Sequence, residues 1–128
     1  MTPTNRLRSA IAATALTMAS PAAADVTLIN VFEVPAGQEQ RAIAAWEEAR
    51  DFLKTQPGYV TTTLHQAVTP DARFALINVA TWTSAEAFAE ATRRMREAGV
   101  FPAIEGLKIN PALYRVVRGD ESGTPEQD

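Results

Sequence analysis

The chain has no cysteine and a single histidine, His65. The first absence excludes disulfides and thiolate metal centres, and the second excludes a multi-histidine metal site within one chain. There is no excess of positive charge: 12 Lys and Arg stand against 15 Asp and Glu, a net charge of −3. That balance argues against nucleic acid as a partner. The apolar run at residues 9–19 (SAIAATALTMA) is too short to cross a bilayer as a helix. No internal repeat or linker divides the 128 residues, which fit one domain.

What is present at the start is a leader pattern. Residues 1–8 carry Arg6 and Arg8 and no acid, residues 9–19 are weakly apolar, and Pro21-Ala22-Ala23-Ala24 supplies small residues of the A-x-A type. Basic, apolar, then small is the order of a secretory signal, so residues 1–24 are expected to be a signal peptide cleaved after Ala24. The mature chain would then be periplasmic or secreted and free of the membrane. No Arg-Arg pair marks a twin-arginine signal, and no cysteine is available for a lipid anchor. Cleavage removes two basic residues from a chain at −3, leaving −5. Residues 119–128 (GDESGTPEQD) have no apolar side chain to bury and read as a disordered tail, which leaves a domain over residues 25–118.

Within that domain the periodicity alternates between strand and helix. Residues 26–34 (VTLINVFEV) are rich in β-branched side chains and read as a first strand ended by Pro35-Ala36-Gly37. Residues 38–55 have helical spacing, with Ala42, Trp46, Ala49 and Leu53 on one stripe, and Gln56-Pro57-Gly58 breaks the helix. Residues 59–67 (YVTTTLHQA) form a second strand, and residues 68–72 a hairpin turn. A third strand from Arg73 runs to Trp82. Thr83-Ser84-Ala85-Glu86 then reads as a capping box with Thr83 as N-cap and Glu86 at the third helical position. The second helix extends to Ala98 with Phe88, Ala91 and Met95 inward, stopped by Gly99. Residues 100–107 suggest a short helical turn, and a last strand is expected over residues 112–117, after Pro111.

The order βαββαβ, with right-handed crossovers, predicts a ferredoxin-like α+β plait: a four-stranded antiparallel sheet with both helices on one face. The other face would carry Ile29, Val31, Ile77 and Val79, too apolar for water, so a second copy is expected to pack sheet against sheet as a dimeric α+β barrel.

The third strand holds the clearest chemical signal. Phe74, Leu76, Asn78, Ala80 and Trp82 point one way because side chains alternate. An amide and an indole facing a covered interior need hydrogen-bond partners or a ligand that supplies them. Asn30 shares the same kind of face with Leu28 and Phe32 on the first strand.

These residues resemble the antibiotic biosynthesis monooxygenase family. The resemblance rests on Asn78-x-x-x-Trp82-x-Ser84-x-x-Ala87-Phe88, on Pro57-Gly58-Tyr59 opening strand two, and on the valine-rich first strand ending Pro35-Ala36-Gly37. It implies a dimeric α+β barrel with one pocket per subunit, and cofactor-independent oxygenation of phenols or quinols, or heme degradation. Asn78 and Trp82 match a pair that lines the pocket of the polyketide oxygenases, but Phe88 stands where that branch has a tyrosine. Asn30 and Trp82 match the heme-degrading branch, but the second helix (FAEATRRMREA) lacks that branch's iron-ligating histidine.

The expected activity is therefore a cofactor-independent monooxygenase acting with dioxygen on a phenolic or quinol-type aromatic. The alternative is a non-catalytic exported protein that holds heme or another planar aromatic. Asn30, Asn78 and Trp82 are the candidate catalytic residues, with Phe32, His65, Arg73, Phe88 and Met95 as substrate-binding candidates. No metal ligands are assigned. Competing readings are a solvated edge histidine for His65, a solvated charge for Arg73, and amides satisfied by backbone for the asparagines. The run Arg93-Arg94-x-Arg96 is expected to pair with Glu90 and Glu97 at helical spacing.

Overall fold

The computed structural model describes residues 25–120, so the leader and most of the acidic tail lie outside the described residues. The elements are β1 (Val26–Glu33), α1 (Glu39–Leu53), β2 (Tyr59–Gln66), β3 (Leu76–Trp82), α2 (Ala85–Ala98) and β4 (Lys108–Tyr114). The sheet is antiparallel throughout, in the order β2-β3-β1-β4, which is the ferredoxin-like plait.

β3 alternates strictly between buried and half-buried residues, with Leu76, Asn78, Ala80 and Trp82 buried. In antiparallel pairing, opposed residues share a face. The register sets Trp82 opposite Val26, Ala80 opposite Leu28, Asn78 opposite Asn30 and Leu76 opposite Phe32, so all of these face the helices. Two apolar clusters form on that face. Leu28, Ala80, Trp82 and Ala91 gather at one end, and Phe32, Ala42 and Leu76 at the other. The two asparagines fall between the clusters, at mid-sheet. On the opposite face Ile29, Val31, Ile77 and Val79 are half-buried in the single chain.

Besides the later start of β3, at Leu76 and not Arg73, four local features depart from the sequence expectation. The N-cap of α2 is Ser84, not Thr83: its hydroxyl accepts the Ala87 N–H at 3.0 Å, while the Thr83 N–H donates to the Gly58 carbonyl at 2.8 Å. Two adjacent hydroxyls compete for the cap, and the bond to Gly58 holds Thr83 in the preceding turn. Gly58 itself sits at φ 92°, and a Cβ there would collide with Ala87, so only glycine fits.

β4 begins at Lys108, not at residue 112, and contains Pro111. β4 is an edge strand, where proline is tolerated if its nitrogen faces outward. Successive N–H groups alternate between edges, and the Asn110 N–H is directed at β1 through Asn30, so the Pro111 nitrogen faces the open side. Residues 100–107 form no helix; the Val100 N–H closes the end of α2 on the Met95 carbonyl at 3.4 Å, and the Leu107 N–H donates to the Ile104 carbonyl at 3.1 Å.

The fourth departure matters most for function. The β2–β3 register shifts between Tyr59 and Thr61, a β-bulge at Val60. Uninterrupted alternation would place Tyr59, Thr61, Thr63 and His65 together. The extra residue moves Tyr59 to the helix face, with Thr62 opposite Ala80 and Leu64 opposite Asn78, and leaves Thr61, Thr63 and His65 on the other face.

Candidate active site

Between the helices and the sheet lies a cavity of about 340 Å³. Its floor is the sheet: Leu28, Asn30 and Phe32 of β1, Tyr59 and Thr62 of β2, and Asn78, Ala80 and Trp82 of β3. Its roof is helical, with Trp46, Arg50 and Leu53 from α1 and Phe88, Thr92, Met95 and Arg96 from α2. Most of this wall is apolar, and it carries no carboxylate and no imidazole.

The two asparagines are the polar centre. Asn78 is 7% exposed, and its Oδ1 accepts a 2.6 Å hydrogen bond from the Thr62 hydroxyl. The Asn30 Oδ1 accepts from the Asn110 backbone N–H at 3.0 Å, a donor that leaves no doubt which end of the amide is oxygen. Both acceptor ends are thus used inside the protein. Neither Nδ2 group has a partner among the described residues. An amide nitrogen presents two N–H donors, so the pair offers unspent donors to whatever enters the cavity. The reading of backbone-satisfied amides holds for the Asn30 oxygen alone.

Trp82 closes one end. It is 1% exposed and is gripped edge-to-face by Tyr59 and Phe88, each ring centroid 5.6 Å away, with interplanar angles of 87° and 73°. Such pairs fix the indole plane beyond what area burial alone would do. The indole N–H also lacks a partner among the described residues.

Of the residues assigned from sequence, Asn30, Asn78, Trp82, Phe32, Phe88 and Met95 all line the cavity. His65 and Arg73 do not. The bulge at Val60 turns His65 to the far face of the sheet, where Nδ1 lies 3.3 Å from the Ile77 carbonyl. Arg73 precedes β3, leaves its side chain 75% exposed, pairs with Glu33 at 3.4 Å and stacks over Phe74. Both belong to a shallow depression on the other side of the sheet.

Sequence reasoning missed Tyr59 and Thr62, because the bulge that directs them inward leaves no sign in YVTTT. It also passed over Arg96. On α2, Arg93 pairs with Glu90 and Glu97, and Arg94 with Glu90, as the spacing predicts; Arg94 also reaches Gln56, just beyond α1, which spacing does not predict. The Arg93 hydrogen bond holds the Glu90 carboxyl below its usual range. Arg96 takes no part in this network.

With this geometry in view, the comparisons are specific. The model of the antibiotic biosynthesis monooxygenase family matches residues 25–96. The chain belongs to that family. A proposed monooxygenase from Shewanella loihica PV-4 is 49% identical, superimposes with a TM-score of 0.71, and is covered over its whole length by 77% of this chain. SnoaB, a cofactor-independent oxygenase from Streptomyces nogalater, is 25% identical with a TM-score of 0.61, over 76% of this chain and 97% of that one. The heme-degrader MhuD from Mycobacterium tuberculosis is 21% identical with a TM-score of 0.58, over 74% of this chain and 98% of that one; this is a likeness of fold. No curated protein matches the sequence.

The monooxygenase-family cavity here does not supply a histidine for heme iron. Helix α2 has none, and His65 lies across the sheet. Tyr59 and Met95 are the only wall residues of a type that ligates heme iron.

The anchoring of Asn78 is directly testable. Thr62→Val leaves a buried amide oxygen without its donor and is expected to lower stability by about 1–3 kcal/mol in urea unfolding. Thr63→Val, on the opposite face, should stay within about 0.5 kcal/mol. Equal effects at the two positions would show that the Thr62–Asn78 bond contributes nothing.

Proposed function

We propose that this protein is a cofactor-independent monooxygenase that acts with dioxygen on a phenolic or quinol-type aromatic. The observation that carries the reading is the pair of opposed amides, Asn30 and Asn78, whose oxygens are spent on the protein and whose N–H donors line an apolar cavity beside Trp82. Membership of the family and the likeness to SnoaB support it.

A flat ring would pack among Trp82, Phe88 and Phe32, with its oxygen on the amide donors. Fixed donors in an apolar site stabilise negative charge more than water-facing ones do, and need no reorganisation as that charge develops. The wall holds no carboxylate or imidazole to act as a base. Deprotonation therefore depends on how far the amides lower the pKa of the bound phenol, with the proton passing to water at the mouth and returning to the peroxide formed later. The phenolate then gives one electron to dioxygen, and the two radicals join at a ring carbon that bears hydrogen. The resulting hydroperoxide loses water and leaves a carbonyl. One oxygen atom enters the product and the other leaves as water, so no external reductant is needed.

Two further parts of the reading concern the setting. The sheet face carrying Ile29, Val31, Ile77 and Val79 is proposed to meet the same face of a second copy. Sedimentation should then give a dimer, and Val31→Lys should shift it to a monomer; a wild-type monomer at micromolar concentration would contradict this. The leader is proposed to direct export, with Asp25 beginning the mature chain.

Catalysis is tested by oxygen uptake on a panel of hydroquinones and polycyclic phenols. Asn78→Ala is expected to reduce kcat by about 10²-fold, the size of effect seen when one oxyanion donor is removed. Trp82→Phe should reduce turnover by far more than it lowers the melting temperature. Turnover that tracks folded fraction in both variants would remove these residues from the chemistry. Saturable binding of the aromatics with no oxygen uptake would make the protein a binding module.

A further inference from the structure

The chain is acidic overall, at −3, yet its cavity wall holds two guanidinium groups and no carboxylate. Each helix contributes one: Arg50 from α1 and Arg96 from α2. They are not equivalent. Arg50 is half-buried, bonds the Asp51 carboxylate through Nε at 3.0 Å and lies 5.2 Å over the Trp46 ring. Its charge is already partly met. Arg96 has no ion-pair or hydrogen-bond partner for its side chain among the described residues, although its neighbours Arg93 and Arg94 are fully engaged with Glu90, Glu97 and Gln56.

Helix geometry accounts for the difference. Phe88, Thr92, Met95 and Arg96 follow one another at spacings of four, three and one, which keeps Arg96 on the edge of the stripe facing the cavity. Arg93 and Arg94 fall beside Glu90 on the outward side. A positive charge at a helix C-terminus is favourable wherever it points. That general effect does not explain why, of the three arginines on α2, the one left without an acid is the one at the cavity.

We infer that the cavity takes an aromatic hydroxy acid: a planar ring whose phenolic oxygen meets the amides of Asn30 and Asn78, and whose carboxylate meets Arg96. The inference rests on the proposed reading of the cavity as a site for a phenolic ring, and it adds the charge that the ring must carry. The two ends of the ligand are sorted by chemistry. The sheet floor offers neutral N–H donors, and the helical roof offers a free planar fork whose geometry matches a carboxylate. A single free guanidinium suits a monoanion. Arg50, held by Asp51, adds to the positive field without serving as the second prong. Arg96 is thus a specificity residue, distinct from the groups that touch the reacting oxygen.

The test uses the whole chain and two matched probes, 6-hydroxy-2-naphthoate and its methyl ester, titrated by calorimetry. The acid is expected to bind about fivefold more tightly than the ester, the increment of a charge-assisted contact to an exposed guanidinium at the cavity rim. Arg96→Gln should bring the ratio close to one, and Arg96→Lys should restore part of it. Arg93→Gln removes the same charge from the outward face and should keep the preference. No preference in the wild-type protein, a preference that survives Arg96→Gln, or no binding of either probe overturns the inference. Oxygen uptake is scored separately: a preference governed by Arg96 in a protein that consumes no oxygen with any hydroquinone carboxylate would leave this inference standing and defeat the oxygenase reading.

Discussion

A buried carboxamide is tolerated only if its oxygen and its nitrogen both find partners, and this sheet sets one, Asn78, at its centre beside the half-buried amide of Asn30. Asn30 and Asn78 are opposed in the β1–β3 register and sit between two apolar clusters, in the stretch of helix-facing surface that is not filled by carbon. Each oxygen is taken by a group of the protein: a hydroxyl from β2 for Asn78, and a backbone N–H from β4 for Asn30. Each edge strand is thus tied to its central neighbour through a side chain of the site. What remains is directional. The nitrogens have no partner among the described residues, and that asymmetry is what the proposal of an oxygen-bearing ligand rests on.

The indole of Trp82 completes the arrangement. Held between Tyr59 and Phe88, it presents a fixed aromatic surface beside the amides. Phe88 stands where the resemblance to the polyketide oxygenases leads one to expect a tyrosine. The cavity nevertheless has a phenol, Tyr59, delivered from β2 on the other side of the same indole. The apolar wall and the roof arginines divide the labour further. In the proposed reading, shape and stacking would hold a ring, neutral donors would address its oxygen, and two roof arginines with no carboxylate in the wall would bias the charge of what enters.

Much of this was legible in the sequence, for a physical reason. β3 is central and paired on both edges, so its alternation is uninterrupted and Leu76, Asn78, Ala80 and Trp82 could be placed on one face by counting. Asn30 followed from the same count on β1. The edges were harder. On β2 the count fails at Val60, where a bulge inserts one residue, and every assignment beyond it changes face; His65 was lost to the site and Thr62 gained by that single step. On β4 the usual rule that proline ends a strand does not bind an edge, so the strand began four residues early. Arg73 was misplaced because the turn before β3 is longer than its polarity suggested, and the strand starts only at Leu76. The free state of Arg96 is not a property of the residue at all. It emerges from which of its neighbours the surrounding carboxylates reach first.

The measurement closest to the central claim is a structure of the chain with a phenolic ligand bound under anaerobic conditions. The ring oxygen is expected within about 3.2 Å of the Nδ2 of Asn30 or Asn78, with the ring against Trp82. A ligand seated in the cavity with its oxygen turned to the mouth, or one bound on the opposite face of the sheet near His65, would contradict it.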